Sequence, residues 1–390
     1  MKPFYAIPIC IFFQITLFAQ TDSSTAAGIQ FIHENYKEAL AKAKAEDKII
    51  FVDCFTTWCG PCKMMSKLVF TDSSVAEFYN KNFVNLKLNM EAGEGPSVQQ
   101  KNGITAFPTL LFLNSVGESV HKAVGFQDVE RFLDLGSQAM KADEGLSAWT
   151  KRYDTGERQS NFLKEYALKL QEALDLRRQS IAVQYFKTQP DKWRNLDNLD
   201  FIYRFAESAT DTFFYTLAHN RKVFENRLPP ADIQLKIKNL VDERLYNNQN
   251  LPELTEADTL IALSQPKDIN RTSKFYRLIY YRMKGDRGNY ALSAIKYFNI
   301  YKDNADELAL AAITFNEQIE DKKQLDEALK WAKRAVKLDR TVSNQMILVH
   351  LYQKIGKERK AKSAAKDAID IGKKTGSDFS EAESILSKAK

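Results

Sequence analysis

Two cysteines separated by two residues, Cys59 and Cys62, are the residues of this sequence whose type and spacing most directly indicate chemistry. They lie in the stretch Trp58-Cys59-Gly60-Pro61-Cys62-Lys63. A thiolate is the nucleophile of disulfide exchange, and a free thiol titrates about a unit and a half above neutrality. If a helix begins at Cys59, its unpaired N–H groups and its dipole favour a thiolate there, and Lys63 adds a positive charge. Pro61 has the fixed φ that suits a first helical turn. Cys62 then lies one turn on, where it can attack a mixed disulfide formed on Cys59.

Two other uses of a Cys-x-x-Cys pair disagree with the rest of the sequence. A structural zinc site needs four ligands, but there is no second cysteine pair, and the four histidines are scattered: His33, His121, His219 and His350. A c-type haem site needs His directly after the second cysteine, where this chain has Lys63. The pair therefore predicts redox chemistry with no metal and with no cofactor other than the Cys59–Cys62 disulfide itself.

The first twenty residues predict export. Lys2 is followed by an apolar run from Phe4 to Phe18 and then by Ala19, which is the pattern of a secretory signal peptide. This run of fifteen residues is shorter than the roughly 20 that span a bilayer, which favours a signal peptide, and an uncleaved anchor is the alternative. We expect residues 1–19 to be a signal peptide and the mature protein to be periplasmic. Cys10 leaves with that peptide, and the three remaining cysteines are too few for a disulfide-stapled scaffold.

Composition places the rest of the chain among soluble globular proteins. It has 390 residues, enough for two or three domains, with 44% hydrophobic and 27% charged residues. The net charge is +6, and Lys and Arg are mixed with Asp and Glu without a basic block. Composition therefore gives no indication of a nucleic-acid partner.

Residues 22–141 are predicted to form an α/β domain. This part contains eight of the fifteen glycines, and short apolar runs alternate in it with helical patterns. The predicted elements are a helix over 29–44, a strand over 49–55, a helix from the cysteine motif toward Leu68, a helix over 74–80, a strand over 83–88, a short helix over 96–101, strands over 109–113 and 119–124, and a helix over 128–140. This order gives a central sheet flanked by helices on both faces.

Residues 142–390 are predicted to be α-helical throughout, with only seven glycines. Ala328, Ala332 and Ala335 recur 33 residues later as Ala361, Ala365 and Ala368. Small residues at that period allow paired helices to approach closely, and over about residues 306–374 the pattern resembles the tetratricopeptide family. We expect a helical-repeat α-solenoid, and a compact helical bundle is the alternative.

The segment FVDCFTTWCGPCKMM resembles the thioredoxin family, and the resemblance covers about residues 29–140. It implies that Cys59 attacks, that Cys62 resolves, and that Asp53 is a buried acid that exchanges a proton with Cys62. It implies that Lys87 pairs with this acid and that Pro108 is a cis-proline facing the disulfide. The implied substrate-binding platform consists of Trp58, Gly60, Pro61, Phe107, Pro108 and Thr109.

Asp53 and Cys54 are neighbours in the predicted strand and are expected to differ. An acid inside IIFVDCF is rarely buried completely unless it is paired or used in chemistry, so we expect Asp53 to be paired or used, and an exposed edge position is the alternative. Strand alternation directs Cys54 to the opposite face, where we expect an inert thiol. The chain departs from the family after the motif, because Ser66 and Lys67 occupy the stretch in which the family has a helix-kinking proline.

Together these observations predict an exported thiol–disulfide oxidoreductase that acts on protein disulfides as a reductase or isomerase. Its expected partners are exported protein thiols and disulfides, together with a membrane-bound or soluble thiol electron donor. The helical region would bind a client or partner. The alternative is a non-catalytic assembly protein that uses the thioredoxin fold as a platform. Retention of Cys59, Cys62, Asp53, Lys87 and Pro108 together disfavours that alternative.

Overall fold

The structure, a computed structural model, describes residues 28–141, 143–190, 193–247 and 250–388. The predicted signal peptide, residues 1–19, lies outside the described residues. Within them, the part of the chain that carries the cysteine motif contains β1 (Ile32–His33), α1 (Tyr36–Glu46), β2 (Ile49–Phe55), α2 (Gly60–Met64), α3 (Ser73–Asn82), β3 (Phe83–Asn89), α4 (Gly95–Lys101), β4 (Thr109–Leu113), β5 (Ser119–Val124) and α5 (Val129–Met140). A π-helical turn, Met65–Val69, continues α2.

The strands form one sheet in the order β1-β3-β2-β4-β5. The central strand β2 pairs in parallel with β3 and antiparallel with β4, and β5 pairs antiparallel with β4. β2 is an almost unbroken apolar run because both of its faces are buried. The α/β class predicted from the sequence is confirmed, and the predicted bounds of β2, β4 and β5 match the structure.

The two faces of the sheet bury different residues of β2. Cys54 points into an apolar cluster that includes Ala39 of α1 and Val98 of α4. Phe51 points to the other face and packs in a cluster with Phe70 and Phe132. Asp53 lies two residues after Phe51 and shares its face, because side chains alternate along a strand. The acid and the free thiol are therefore on opposite sides of the sheet.

The predicted helix over 29–44 is wrong at its start. Residues Ile32–His33 form β1, which pairs with β3, and α1 begins only at Tyr36. Glu34 between them has a φ of 56°, a left-handed conformation that no α-helix interior contains. The side chain of Asn35 then caps α1 by accepting a hydrogen bond from the Glu38 N–H at 3.1 Å.

Three further helices, α6 (Leu146–Asp154), α7 (Ser160–Glu172) and α8 (Arg178–Lys187), belong to the same compact unit as the sheet, which ends at Pro190. Both α6 and α7 pack on the edge strand β5. Gly145 approaches this edge so closely that a Cβ added there would lie 2.7 Å from the Val120 carbonyl oxygen. The boundary predicted between residues 141 and 142 falls inside this unit and stays a prediction.

We expect a fragment of residues 20–190 to have a higher free energy of unfolding than a fragment of residues 20–141, by about 2–4 kcal/mol. The longer fragment keeps Leu146 buried, and burial of a large apolar side chain contributes roughly 1.5–3 kcal/mol. It also keeps the hydrogen bond of 2.8 Å from Lys169 Nζ to Gln138 Oε1 and the ion pair between Arg131 and Glu172.

Urea unfolding of both fragments provides the measurement. Gly145→Ala in the longer fragment is the sensitive variant, because the added methyl group has no room beside Val120. Equal unfolding free energies of the two fragments would show that α6–α8 do not support the sheet.

The second compact unit, which follows Pro190, is helical in its described ranges. It contains α9 (Leu196–Phe205), α10 (Thr212–His219), α11 (Arg221–Phe224), α12 (Pro230–Tyr246), α13 (Leu254–Ser264), α14 (Ile269–Met283), α15 (Arg287–Ile300), α16 (Ala305–Gln318), α17 (Lys322–Leu338), α18 (Val342–Lys354), α19 (Glu358–Thr375) and α20 (Ser380–Lys388). This confirms an all-α region after the α/β domain. Over the part of the chain described here, no helix combines the length and the apolar character needed to cross a membrane.

The alanines that recur with a period of 33 residues lie in one core of this unit, and all six are fully buried. α16 packs along α17, and α18 packs along α19, so the small residues lie where paired helices approach each other. This burial agrees with a helical-repeat arrangement. Assignment to the tetratricopeptide family stays a prediction.

Candidate active site

Cys59 and Cys62 are joined by a disulfide at the point where β2 ends and α2 begins. Cys59 is the N-cap of α2, and its Sγ accepts a hydrogen bond of 3.1 Å from the Cys62 backbone N–H. Pro61 occupies the first turn, as its fixed φ allows. In the reduced protein the same N–H and the helix dipole favour negative charge on Cys59 Sγ.

The helix that follows the disulfide changes its hydrogen-bond pattern at Met65. The Phe70 N–H donates to the Met65 carbonyl oxygen at 3.0 Å, an i to i+5 bond, and Met65–Val69 form the π turn. π turns of this kind are frequent at functional sites. Here the π turn contains Ser66, whose Oγ accepts a hydrogen bond of 3.0 Å from Lys87 Nζ.

Asp53 is fully buried, and its Oδ2 accepts a hydrogen bond from Lys87 Nζ in an ion pair. Burial raises the pKa of the Asp53 carboxyl group, and the positive charge of Lys87 lowers it only in part. The net direction is upward, so this carboxylate is a better proton acceptor than an exposed one. Its other oxygen, Oδ1, has no hydrogen-bond partner among the described residues.

The Lys87 ammonium group is held by aromatic rings as well as by Asp53 and Ser66. Nζ lies 4.8 Å from the ring centre of Phe55, 5.5 Å from that of Phe70 and 5.6 Å from that of Phe31. Cation–π contacts at such distances stabilise a charge that has lost most of its water. The register of β3 against β2 places Lys87 directly opposite Asp53, and these contacts hold its ammonium group there.

A cavity of about 360 Å³ lies between Lys87 of this ion pair and Cys62 of the disulfide. Its lining comprises Phe55, Thr56, Thr57, Cys62, Lys63, Ser66, Lys67 and Lys87. Cys62 and Lys87 therefore face one space that is open to solvent, and Lys87 bonds Asp53. Lys87 is thus the lining residue that joins this space to the buried Asp53 carboxylate.

The predicted platform residues lie near one another around Trp58. The Trp58 ring contacts the Phe107 ring edge to face, with centroids 6.0 Å apart, and 67% of Trp58 is exposed. The Phe107–Pro108 peptide bond is cis, and Thr109 begins β4 opposite Cys54 of β2. Gly60 and Pro61 are exposed at the start of α2. The structure thus gathers the predicted platform residues at one end of the sheet.

Cys54 is separate from this site. It is fully buried on the other face, and burial raises the pKa of its thiol well above the ordinary value, with a further increase from the negative charge of Asp53. This placement agrees with the inert thiol predicted from strand alternation.

Two contacts at the site have no counterpart in the sequence-based predictions. The first is the Ser66–Lys87 hydrogen bond, for which the only sequence signal was the missing helix proline. The second is the hydrogen bond of 2.8 Å that Trp58 Nε1–H donates to Glu91 Oε1, which orients the exposed indole. Within the described ranges, no three His, Cys, Asp or Glu side chains are grouped so that they could hold a metal ion.

The domain that carries Cys59 and Cys62 is similar in sequence to thioredoxins. A family model described as a thioredoxin-like domain matches residues 36–139. Thioredoxin-1 of Saccharomyces cerevisiae is 40% identical over 86 residues, which are 21% of this chain and 74% of the yeast protein. A thioredoxin of Staphylococcus aureus is 32% identical over 93 residues, which are 24% of this chain and 84% of that protein.

Among solved structures, the solution structure of a candidate disulphide-isomerase from Bacteroides thetaiotaomicron is 51% identical to this chain. The match covers 30% of this chain and 97% of the Bacteroides chain, and its TM-score is 0.28.

A disulfide that caps a helix at the end of the central strand, in a domain that matches the thioredoxin-like model, defines a thiol–disulfide oxidoreductase of thioredoxin-like fold. The chain belongs to the thioredoxin family, with a long helical region added after the catalytic domain. Its partners are therefore thiols and disulfides.

Ser66→Ala is expected to slow the resolving attack of Cys62 about threefold near pH 7, which is about 0.7 kcal/mol and at the low end for one hydrogen bond, because Ser66 acts on Cys62 only through Lys87 and Asp53. Without the hydroxyl group, Lys87 loses one acceptor and holds Asp53 less firmly, so the Asp53 pKa should rise further. The rate should recover as the pH is raised.

Stopped-flow measurement of the resolving step against pH checks this expectation. Ser66→Thr keeps a hydroxyl group and should retain the parental profile. Ser73→Ala, an exposed serine at the start of α3, is the matched control. A Ser66→Ala profile that coincides with that of the parent would show that Ser66 has no effect on the resolving step.

Proposed function

We propose that the protein reduces or rearranges disulfides in exported proteins, with Cys59 as the nucleophile and Cys62 as the resolving thiol. The Cys59 thiolate attacks one sulfur of the client disulfide, a Cys59–client bond forms, and one client thiolate leaves. The Cys62 thiolate then attacks Cys59 Sγ, so the Cys59–Cys62 disulfide forms and the second client thiol is released. Two electrons pass to the client, and a thiol electron donor must return them.

The observation that carries the proposal is the shared cavity of Cys62 and Lys87 beside the buried Asp53. Cys62 must lose its proton before it attacks, and Asp53 is the acceptor with a raised pKa. The exposed face of Trp58 and the segment Phe107–Thr109 would contact the client chain. A protein that used its fold only as a platform would have no need of this proton pathway.

The direction of electron flow follows from the residues between the cysteines. Gly60-Pro61 is the dipeptide of reducing thioredoxins, whose potentials are near about −270 mV, whereas strong oxidants of this fold are near about −120 mV. Reduction or isomerisation is therefore the favoured direction for this chain.

The test has two measurements. The reduction potential of the Cys59–Cys62 pair is determined by equilibration with glutathione and should lie nearer to the reducing value. Cys62→Ser should then trap clients as mixed disulfides on Cys59, and Cys59→Ser should trap none. An oxidising potential would reverse the proposed direction, and the absence of trapped clients would favour the non-catalytic alternative.

We propose further that the protein is exported to the periplasm after removal of residues 1–19. The support is the charged and apolar pattern of the sequence up to Ala19. Fractionation of the native host and N-terminal sequencing of the mature protein test it. A full-length chain in the membrane fraction would indicate the retained anchor instead.

The helical region after the catalytic domain is proposed to hold a client or redox partner, because the chemistry needs only residues near the disulfide. Fragment 20–190 should reduce a small model disulfide at the parental rate and should lose activity on its natural clients. Equal activity of both forms on clients would remove the recognition role.

A further inference from the structure

Positive charge is concentrated in one segment of the second compact unit. Residues 322–374 contain 15 Lys and Arg against 6 Asp and Glu, a net charge of +9. The remaining residues contain 41 and 44, a net charge of −3. The basic character of the chain as a whole therefore comes from α17, α19 and their immediate surroundings.

Five lysines of this segment converge on one cavity of about 460 Å³, named the basic cavity below. It lies between α17 and the start of α19, and it is lined by Lys323, Asp326, Glu327, Leu329, Lys330, Lys333, Tyr352, Lys357 and Lys360. Its volume is within the range of ligand-binding pockets, about 300–1,000 Å³. Leu329 and Tyr352 are buried, so they give this charged space a rigid apolar base.

Only two of the five lysines are neutralised by neighbours. Lys330 pairs with Glu327 at 2.6 Å, and Lys357 pairs with Asp326 at 3.5 Å. Lys323, Lys333 and Lys360 have no ion pair among the described residues, and Lys360 lies 6.0 Å from the ring centre of Tyr352. With both acids engaged, three ammonium groups of the cavity remain without an ion-pair partner in the described ranges and are available to a bound anionic group.

We propose that the basic cavity binds an acidic segment of a partner protein, with its carboxylates placed against Lys323, Lys333 and Lys360. This inference rests on the proposed function, since it assigns the kind of client or redox partner that the helical region would hold. Ammonium groups bind carboxylates as point charges. A cavity with an apolar base suits side chains that enter it, whereas a bilayer presents a flat surface.

The test uses the full chain and a short fluorescent peptide rich in glutamate, with its glutamine analogue as the comparison probe. The triple variant Lys323→Gln, Lys333→Gln, Lys360→Gln should bind the glutamate peptide about tenfold more weakly or worse, because three exposed charge pairs are lost together. The parent should lose affinity as salt is added, since salt screens exposed charges.

The matched control removes the same charge from the same two helices outside the cavity, as Lys337→Gln, Lys366→Gln, Lys373→Gln. All three lysines are exposed and do not line the basic cavity. The control should keep affinity within about twofold of the parent. Equal weakening by both triple variants would show a diffuse charge effect and overturn the proposal.

Two further measurements separate the other outcomes. In the first, the parent and the cavity variant are mixed with vesicles of anionic lipid. If the parent bound the vesicles but not the peptide, and the cavity variant lost vesicle binding, the proposal would be overturned in favour of a membrane surface. Reduction of a small model disulfide by each variant is measured in parallel and should be unchanged. Inactivity of the parent there would contradict the proposed reductase function while leaving the peptide result to stand by itself.

Discussion

Asp53→Asn is expected to slow the resolving step about a hundredfold near pH 7 while the first attack by Cys59 stays near the parental rate. Cys62 has to lose its thiol proton in the resolving step, and an amide cannot accept it. Asp53 is fully buried, and its Oδ1 has no hydrogen-bond partner among the described residues. Because that oxygen is not engaged by Lys87, we expect it to be the one that receives the proton.

Single-turnover reduction of a labelled peptide disulfide separates the two steps, because the mixed disulfide on Cys59 can be quenched and counted. Lys87→Met is the informative companion variant. It removes the charge that lowers the Asp53 pKa, so its resolving rate should be recovered at higher pH, whereas Asp53→Asn should be slow throughout. If Asp53→Asn resolved the mixed disulfide at the parental rate at every pH between about 6 and 8, Asp53 would have no proton-transfer role.

Asp53→Asn also has a predictable effect on the free energy of unfolding. The Asp53 pKa is raised in the folded protein by burial, so the folded state binds more protons than the unfolded state. The contribution of Asp53 to the free energy of unfolding is fully present below its pKa in the unfolded chain, about 3.9. It is lost as the pH rises through the pKa of Asp53 in the folded protein. Asp53→Asn should therefore unfold at higher urea than the parent at neutral pH, and the difference should shrink below about pH 4.

The catalytic domain was largely predictable from the sequence because its central strands β2 and β4 are buried on both faces. IIFVDCF in β2 is a continuous apolar run interrupted by one acid, and burial of Asp53 beside Lys87 explains the interruption. β1 could not be predicted, because two residues show no periodicity and its pairing with β3 is a tertiary contact.

Other features depend on contacts that no local pattern encodes. The π turn replaces an i to i+4 hydrogen bond by an i to i+5 bond, and it contains Ser66, which accepts a hydrogen bond from Lys87. No residue type along this stretch indicates such a turn. The basic cavity was also missed. Its lysines come from two helices at helical spacing, so they never form a run along the chain. Likewise, glycine content marks a change near residue 141, whereas α6 and α7 remain packed on β5.

Iodoacetamide near pH 7 is expected to modify Cys59 of the reduced protein at least about a hundredfold faster than Cys54. Cys59 lies at a helix N-terminus, where the Cys62 N–H points at its sulfur from 3.1 Å and favours the thiolate. Cys54 has no exposed surface, and burial raises the pKa of its thiol well above the ordinary value. Cys62 should react more slowly than Cys59, because it lies inside the first turn of α2 and its sulfur does not receive the N–H that favours the thiolate on Cys59.

The positions of the cysteines decide how the label is located. All three lie between Lys48 and Lys63 without an intervening Lys or Arg, so trypsin leaves them on one peptide, which must be fragmented in the mass spectrometer. Cys54→Ala is the matched control and should be labelled at the same rate and to the same extent as the parent. Early label on Cys54 would mean that β2 opens to solvent in the reduced protein. In that case the burial of Asp53, and with it the raised pKa that suits it to accept the Cys62 proton, would belong to the oxidised state alone.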